Sequence, residues 1–365
     1  MPSSDLTDAV ERRKGEHLRV VTGEDVGSRR SPGWDEVHLV HQALPAADLE
    51  QIDLGVEFLG RHLRAPLLIA GMTGGHAAAH DVNRVLARAA ERHGLAMGVG
   101  SQRAALRNPA LAYTYKVARE EAPSAFLIGN MGVAQLIPQG SSEQAGVHHL
   151  LAAIEMIRAD ALALHLNYLE ETVQPEGDRR AAGIRDAIAR AVSVIPLPVI
   201  AKETGAGMSR QVALALRDLG CAALDVGGAG GTSFAAVEAR RADAIDDNRG
   251  RRLGATFRDW GVPTAVSILA ARTAGLPIIA TGGVRSGLDA AKALALGATL
   301  VGVAGPLLKA GMEGEAAVGE WIELFCEELR AAVFLTGGRS VADLARTDRV
   351  VVGEVAQWAA QLGYR

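Results

Sequence analysis

A chain of 365 residues with 48% hydrophobic side chains can bury one large core or two ordinary ones. Its net charge of −4 and 4% aromatic content offer neither a cationic field nor a stacking surface for nucleic acid. Two distant cysteines, Cys221 and Cys326, exclude a disulfide framework and a structural zinc site. The uncharged, mostly apolar stretch between Lys292 and Lys309 is too broken by glycines and Pro306 to make a membrane span, and no apolar secretory segment opens the chain. A cytoplasmic protein with no membrane or nucleic-acid partner is expected.

In chain order, the opening run RRKGEH (12–17) reads on its own as solvated charge. Eight β-prone runs follow: PLLIAGM (66–72), LAMGVGS (95–101), AFLIGNM (125–131), ALALHLN (161–167), PVIAKE (198–203), AALDVGG (222–228), PIIATGG (277–283) and LVGVAG (300–305). Alanine-rich amphipathic segments separate many of them, among them RQVALALRDLG, whose Gly220 stands where a helix C-cap belongs. Strand–helix alternation repeated eight times predicts parallel strands joined by right-handed crossovers. The expected fold is α/β, a (β/α)8 TIM-type barrel with an N-terminal extension; a doubly wound open sheet is the competing arrangement. Residues 1–64 form the extension, which contributes to the substrate site; 65–345 form the barrel and 346–365 a C-terminal tail helix.

Polar residues gather at the ends of these runs: Thr73, Ser101, Asn130, His165 with Asn167, Lys202, and the glycines at 227–231 and 282–283. In a barrel those ends converge on one face, where active sites are built. Strand alternation places Ala161, Ala163, His165 and Asn167 on one side and the intervening leucines on the other, so the histidine and asparagine point toward the axis. The loops after runs seven and eight carry Gly282, Gly283, Gly287 and Arg285, a composition suited to holding a phosphate against backbone N–H groups. The DVGGAGGTSF turn (225–234) adds Thr232 and Ser233 as donors. GAGMSR (205–210) is an incomplete GxGxxG, and no P-loop is present. Lys202 at the end of run five suits the N1–C2 edge of a flavin mononucleotide; a structural salt bridge to Glu203 or another carboxylate is the plainer reading. The charged segment 239–258, with Gly250 and Gly254, reads as a lid loop.

Taken together, RRKGEH, HQALP (41–45), APLLIAGMTGG (65–75), GVGSQRAAL (98–106), LHLN with QPEGD (164–167, 174–178), IAKETGAGMS (200–209), DVGGAGGTS (225–233), GVPT (261–264) and TGGVRSGLDAAKALALGA (281–298) resemble the type 2, flavin-dependent isopentenyl diphosphate isomerases. The resemblance runs over nearly the full chain. It implies FMN contacts from Met72, Thr73, Ser101 and Asn130, from Lys202 and Thr232, and from Gly282, Gly283, Arg285, Ala304 and Gly305. It implies that Arg13, Lys14 and His17, with Arg103, His165, Asn167 and Gln174, hold a prenyl diphosphate, and that Glu171 binds a bridging Mg²⁺. Glu170, His165 and Lys202 become the candidate catalytic residues.

The implied reaction converts isopentenyl to dimethylallyl diphosphate by a 1,3-allylic proton shift. Reduced FMN serves as acid and base, NADPH is the reductant, and the expected assembly is a homotetramer or homo-octamer. At Glu170 the chain departs from the family, whose glutamine stands before the metal-binding glutamate. An amide donates hydrogen bonds, whereas a carboxylate only accepts. That change keeps open a diverged relative acting on another prenyl diphosphate. An FMN-dependent 2-hydroxy-acid oxidoreductase and a non-enzymatic flavin-binding protein also remain.

Overall fold

The structure, a computed structural model, describes residues 14–139, 144 and 146–364. Eight parallel strands close into a barrel: β1 (Leu67–Ile69), β2 (Ala96–Gly98), β3 (Phe126–Gly132), β4 (Ala161–Leu166), β5 (Val199–Glu203), β6 (Ala223–Asp225), β7 (Ile278–Thr281) and β8 (Leu300–Val303). Seven lie inside their β-prone runs, and β3 runs one residue past its own, to Gly132. Closure is made by β8 on β1, with Val301 opposite Leu67 and Val303 opposite Ile69. The open-sheet alternative is thereby ruled out: β1 and β8 have no free edges.

Two layers of packing follow from strand alternation. Leu162 and Leu164 face the helices and join the large outer core, whereas Ala161 and Ala163 face the axis with Leu68, Phe126, Ile200 and Ile279. The lower end of the barrel is stoppered by the hairpin Val56–Phe58 with Arg61–Leu63. Its two-residue turn, Leu59 and Gly60, has φ of 46° and 82°, the left-handed geometry that matches strand twist. Phe58 enters the axial cluster and meets Phe126 edge-on, with ring centroids 5.8 Å apart. The floor of the barrel is thus apolar, and the cavity opens at the C-terminal ends of its strands.

Residues 14–23 form a helix that lies across this upper face. Val20 and Val26 pack with Ala236 and Val237 in a cluster separate from the main core. The chain then zips onto the loop after β6: the N–H of Ser28 donates to the Gly231 carbonyl, and that of Ser233 to Val26, both at 2.8 Å. Near the other end of the chain, Arg349–Val351 pairs antiparallel with Val37–Leu39 and leads into the helix Gly353–Leu362.

The segment 239–258 differs from the lid-loop expectation. It continues the helix Phe234–Ala244 and then forms a second helix, Asn248–Thr256. A Cβ at Gly254 would meet the Ala239 side chain at 2.6 Å and the Ala235 carbonyl, so this glycine lets two helices touch. Close packing, not hinge freedom, explains it.

Candidate active site

A cavity of about 440 Å³ occupies the upper face, within the range of cofactor pockets. One half is built of backbone. Gly282 and Gly283, directly after β7, have φ of 124° and 68°. A Cβ on Gly282 would meet Thr264 Oγ1 at 2.6 Å, and one on Gly283 the Gly230 carbonyl at 2.5 Å. Only glycine permits this crossing of the β6 and β7 loops. The Trp34 indole N–H donates to the Gly283 carbonyl at 3.1 Å from behind, fixing the loop. Thr232, Ala304 and Gly305 continue the wall, with Arg285 exposed on its rim. Thr281 Oγ1 is buried without a hydrogen-bond partner and lies on the same wall.

Two residues expected among the phosphate donors have other work. Ser233 Oγ accepts from the N–H of Ala236 and donates to the Arg258 carbonyl at 2.7 Å, so it caps the Phe234–Ala244 helix. A Cβ on Gly287 would run into the backbone of Phe325 and Leu329. Its missing side chain admits a neighbouring helix. Its N–H donates to Glu328 at 2.7 Å.

Beneath the cavity, Lys202 Nζ donates to Asp225 Oδ2 at 2.9 Å and to the Glu203 carbonyl at 3.3 Å. The two residues are register partners on β5 and β6. The salt bridge expected as the plainer reading therefore exists, to Asp225, while Lys202 still lines the cavity. Glu203 turns the other way: its Oε2 accepts from the N–H groups of Gly205, Ala206 and Gly207 at 2.7, 2.6 and 3.0 Å. Desolvation pushes its carboxyl up to about 7, against the pull of those donors and of Lys202.

The other half is built of side chains. The Asn130 amide donates to the Val99 carbonyl at 3.0 Å, which leaves its Oδ1 facing His165 Nδ1 at 2.8 Å. Nδ1 is therefore the protonated nitrogen toward Asn130. Lys14 Nζ, from the N-terminal helix, donates to the Gly74 carbonyl (2.9 Å), the Ser101 carbonyl (2.6 Å) and the Tyr115 hydroxyl (2.9 Å). Burial pushes the Tyr115 phenol well above its ordinary range, so it stays protonated and itself donates to Ser101 at 2.6 Å. Arg103 is paired with the buried Asp178 at 2.7 Å, an acceptor it shares with Gln135. Asn167 Nδ2 donates to Glu170 at 2.9 Å and Glu171 at 3.1 Å, and Glu171 also accepts from the Asp178 N–H at 2.7 Å. His17 meets Glu238 at 2.6 Å, and Glu238 is paired in turn with Arg241 at 2.5 Å. Ligand atoms of His17, Glu170 and Glu238 lie within 4.8 Å of one another.

Chain comparisons agree with this geometry. The chain matches the FMN-dependent dehydrogenase family over residues 17–166 and 169–351. It is 50% identical over 348 residues to an isopentenyl-diphosphate delta-isomerase of Methanoregula boonei, covering 94% of this chain and 95% of that protein. The corresponding Methanosarcina mazei protein is 46% identical over 360 residues, covering 98% and 97%. The chain belongs to the type 2 isopentenyl-diphosphate delta-isomerase family. Solved structures add the fold alone. A lactate oxidase from Pediococcus acidilactici superposes with a TM-score of 0.67 at 18% identity, covering 95% of this chain and 94% of that one. A mandelate oxidase variant carrying an FMN adduct gives 0.60 at 20%, covering 95% and 100%.

The residues present fit the flavin that this isomerase family implies. The glycine cradle, the unpartnered Thr281 hydroxyl and the Lys202 ammonium lie on one continuous wall. Met72, Thr73, Ser101 and Asn130 complete it from β1, β2 and β3. Of the residues expected at the site, Arg13 lies outside the described residues and Gln174 is off the cavity wall. Gln174 is 1% exposed, with neither amide atom partnered. All the others implied by the family resemblance line the cavity, whereas Ser233 and Gly287 do not. Sequence reading missed Asp225, Tyr115, Gln135 and Glu238. Asp225 closes the DVGG strand opposite Lys202, a signal visible once parallel neighbours are counted in register; the other three carry no local signal.

Proposed function

We propose that the protein interconverts isopentenyl and dimethylallyl diphosphate, moving the double bond between the 3,4 and 2,3 positions with no net redox change. The observation that carries this reading is the two-part cavity: a backbone cradle with Lys202 on one side, and a wall of Lys14, Arg103, His165 and two glutamates on the other, in a chain about half identical to named isomerases. Lys202 offers its ammonium to the flavin N1–C2 edge, and the β7 and β8 loops with Arg285 hold its phosphate. When bound, reduced FMN supplies negative charge and an exchangeable proton beside the alkene. Lys14, His17, Arg103, His165 and Asn167 receive the diphosphate, with Arg13 ahead of them in the chain. Glu171 receives the Mg²⁺, and the crowding of Glu170 and Glu238 supports a divalent cation at this end. The hairpin stopper and the N-terminal helix exclude water, which favours a cationic carbon over its hydration. NADPH as reductant, a homotetramer or homo-octamer, and a cytoplasmic setting complete the reading on family resemblance. Among the described residues no helix is long and apolar enough to cross a membrane.

A second reading rests on Glu170. Its Oε2 accepts from Asn167 on the cavity wall, where a carboxylate can take a proton that an amide takes poorly. Both readings are tested by incubating the protein and Glu170→Gln with FMN, Mg²⁺, reductant and either isopentenyl diphosphate or longer prenyl diphosphates, followed by product analysis. Five-carbon isomerisation by the wild type supports the first reading. Turnover of a longer substrate that is lost in Glu170→Gln, with a gain on the five-carbon one, supports the second. Full turnover with oxidised FMN and no reductant sinks the acid–base role of the flavin.

A further inference from the structure

Asp225 is a charged group that the proposed mechanism does not use. It is 2% exposed and lies off the wall of the main cavity. It faces instead a small chamber of about 20 Å³, which Lys202 and Asn130 also line. Lys202 spans the two spaces. An ammonium has three donors. Two of them are fixed from below by Asp225 Oδ2 and the Glu203 carbonyl, which leaves the third for the cavity. Asp225 is itself anchored, since its Oδ1 accepts from the Gly227 N–H at 3.3 Å. Glu203 does not compete for the ammonium, because its carboxylate is held by the 205–207 N–H groups.

We propose that Asp225 is a positioning residue and counter-charge for Lys202, setting how strongly the protein prefers reduced over oxidised FMN. The inference rests on the reading that Lys202 meets the flavin N1–C2 edge. A lone ammonium there favours the negatively charged reduced ring. A carboxylate 2.9 Å behind it, its side chain 3% exposed, offsets much of that field in a buried site. The pair keeps the ammonium aimed while holding the reduced form from being bound too tightly.

The test is the ratio of affinities for reduced and oxidised FMN, measured by anaerobic titration of flavin-stripped protein. A merely structural role weakens both forms alike and leaves the ratio unchanged. Asp225→Asn keeps an acceptor oxygen for Lys202 and removes the charge; the ratio is expected to rise on the order of tenfold toward the reduced form. Asp225→Glu keeps the charge and is expected to hold the ratio within about twofold of wild type, whatever it does to stability. A ratio unchanged or lowered in Asp225→Asn, or raised as much in Asp225→Glu, overturns the inference. Lys202→Met is the separate control: if it leaves the ratio unchanged, the placement of Lys202 against the flavin fails, independently of Asp225.

Discussion

The two halves of the cavity are made of different material. On the β7–β8 side the wall is main chain: glycines whose lack of Cβ lets loops cross at contact distance, braced by Trp34. On the β2–β4 side it is charged and polar side chains that already hold one another: Arg103 on Asp178, Lys14 on two carbonyls and Tyr115, Asn167 on two glutamates. A main-chain wall is finished before its ligand arrives. A side-chain wall must exchange partners when an anion enters, so it recognises by competition.

Three substitutions break or sharpen that contrast. The largest effect is expected for Gly283→Ala, which forces a side chain into φ 68° and against the Gly230 carbonyl. A cost of about 3 kcal/mol corresponds to roughly a hundredfold loss of FMN affinity, read by flavin fluorescence titration. Unchanged affinity would mean that the main-chain wall tolerates displacement. Next, Lys14→Met removes three hydrogen bonds from one ammonium. About 2–3 kcal/mol should be lost from kcat/KM for the diphosphate substrate, with FMN affinity kept within about twofold. Equal losses in both would show that the halves are not separable. The smallest effect concerns Glu203, whose carboxyl is raised to about 7 by desolvation. A raised acid contributes stability that is complete below its ordinary value near 4.5 and disappears as pH climbs through 7. Denaturant unfolding at pH 5 and pH 8 should differ by about 1–2 kcal/mol more in wild type than in Glu203→Gln, partial solvent contact reducing the full shift. An identical pH dependence would place that carboxyl at its ordinary value.

The same contrast explains what could be read from the sequence. Strand ends and glycine loops are local, so all eight strands and the main-chain wall follow from short runs of residues. Side-chain pairing is not local. Nothing near residue 225 in the chain announces Lys202 as its partner, and nothing near 115 announces the clamp on Lys14. Ser233 and Gly287 were misread for a related reason. A hydroxyl after glycines caps a helix as readily as it donates to phosphate, and a small residue admits a helix as readily as a ligand. The glycines of 239–258 carry that ambiguity too.

Barrel closure has a consequence for the order in which a growing polypeptide can become competent. Leu67 waits for Val301, and the stretch after Val26 waits for Gly231, so the earliest segments made are held without their partners through most of translation. The flavin cradle belongs to the last strands to emerge. Cofactor capture is therefore a late event, following synthesis rather than guiding it, and a nascent chain halted before residue 282 would have the charged wall and no finished cradle to set against it.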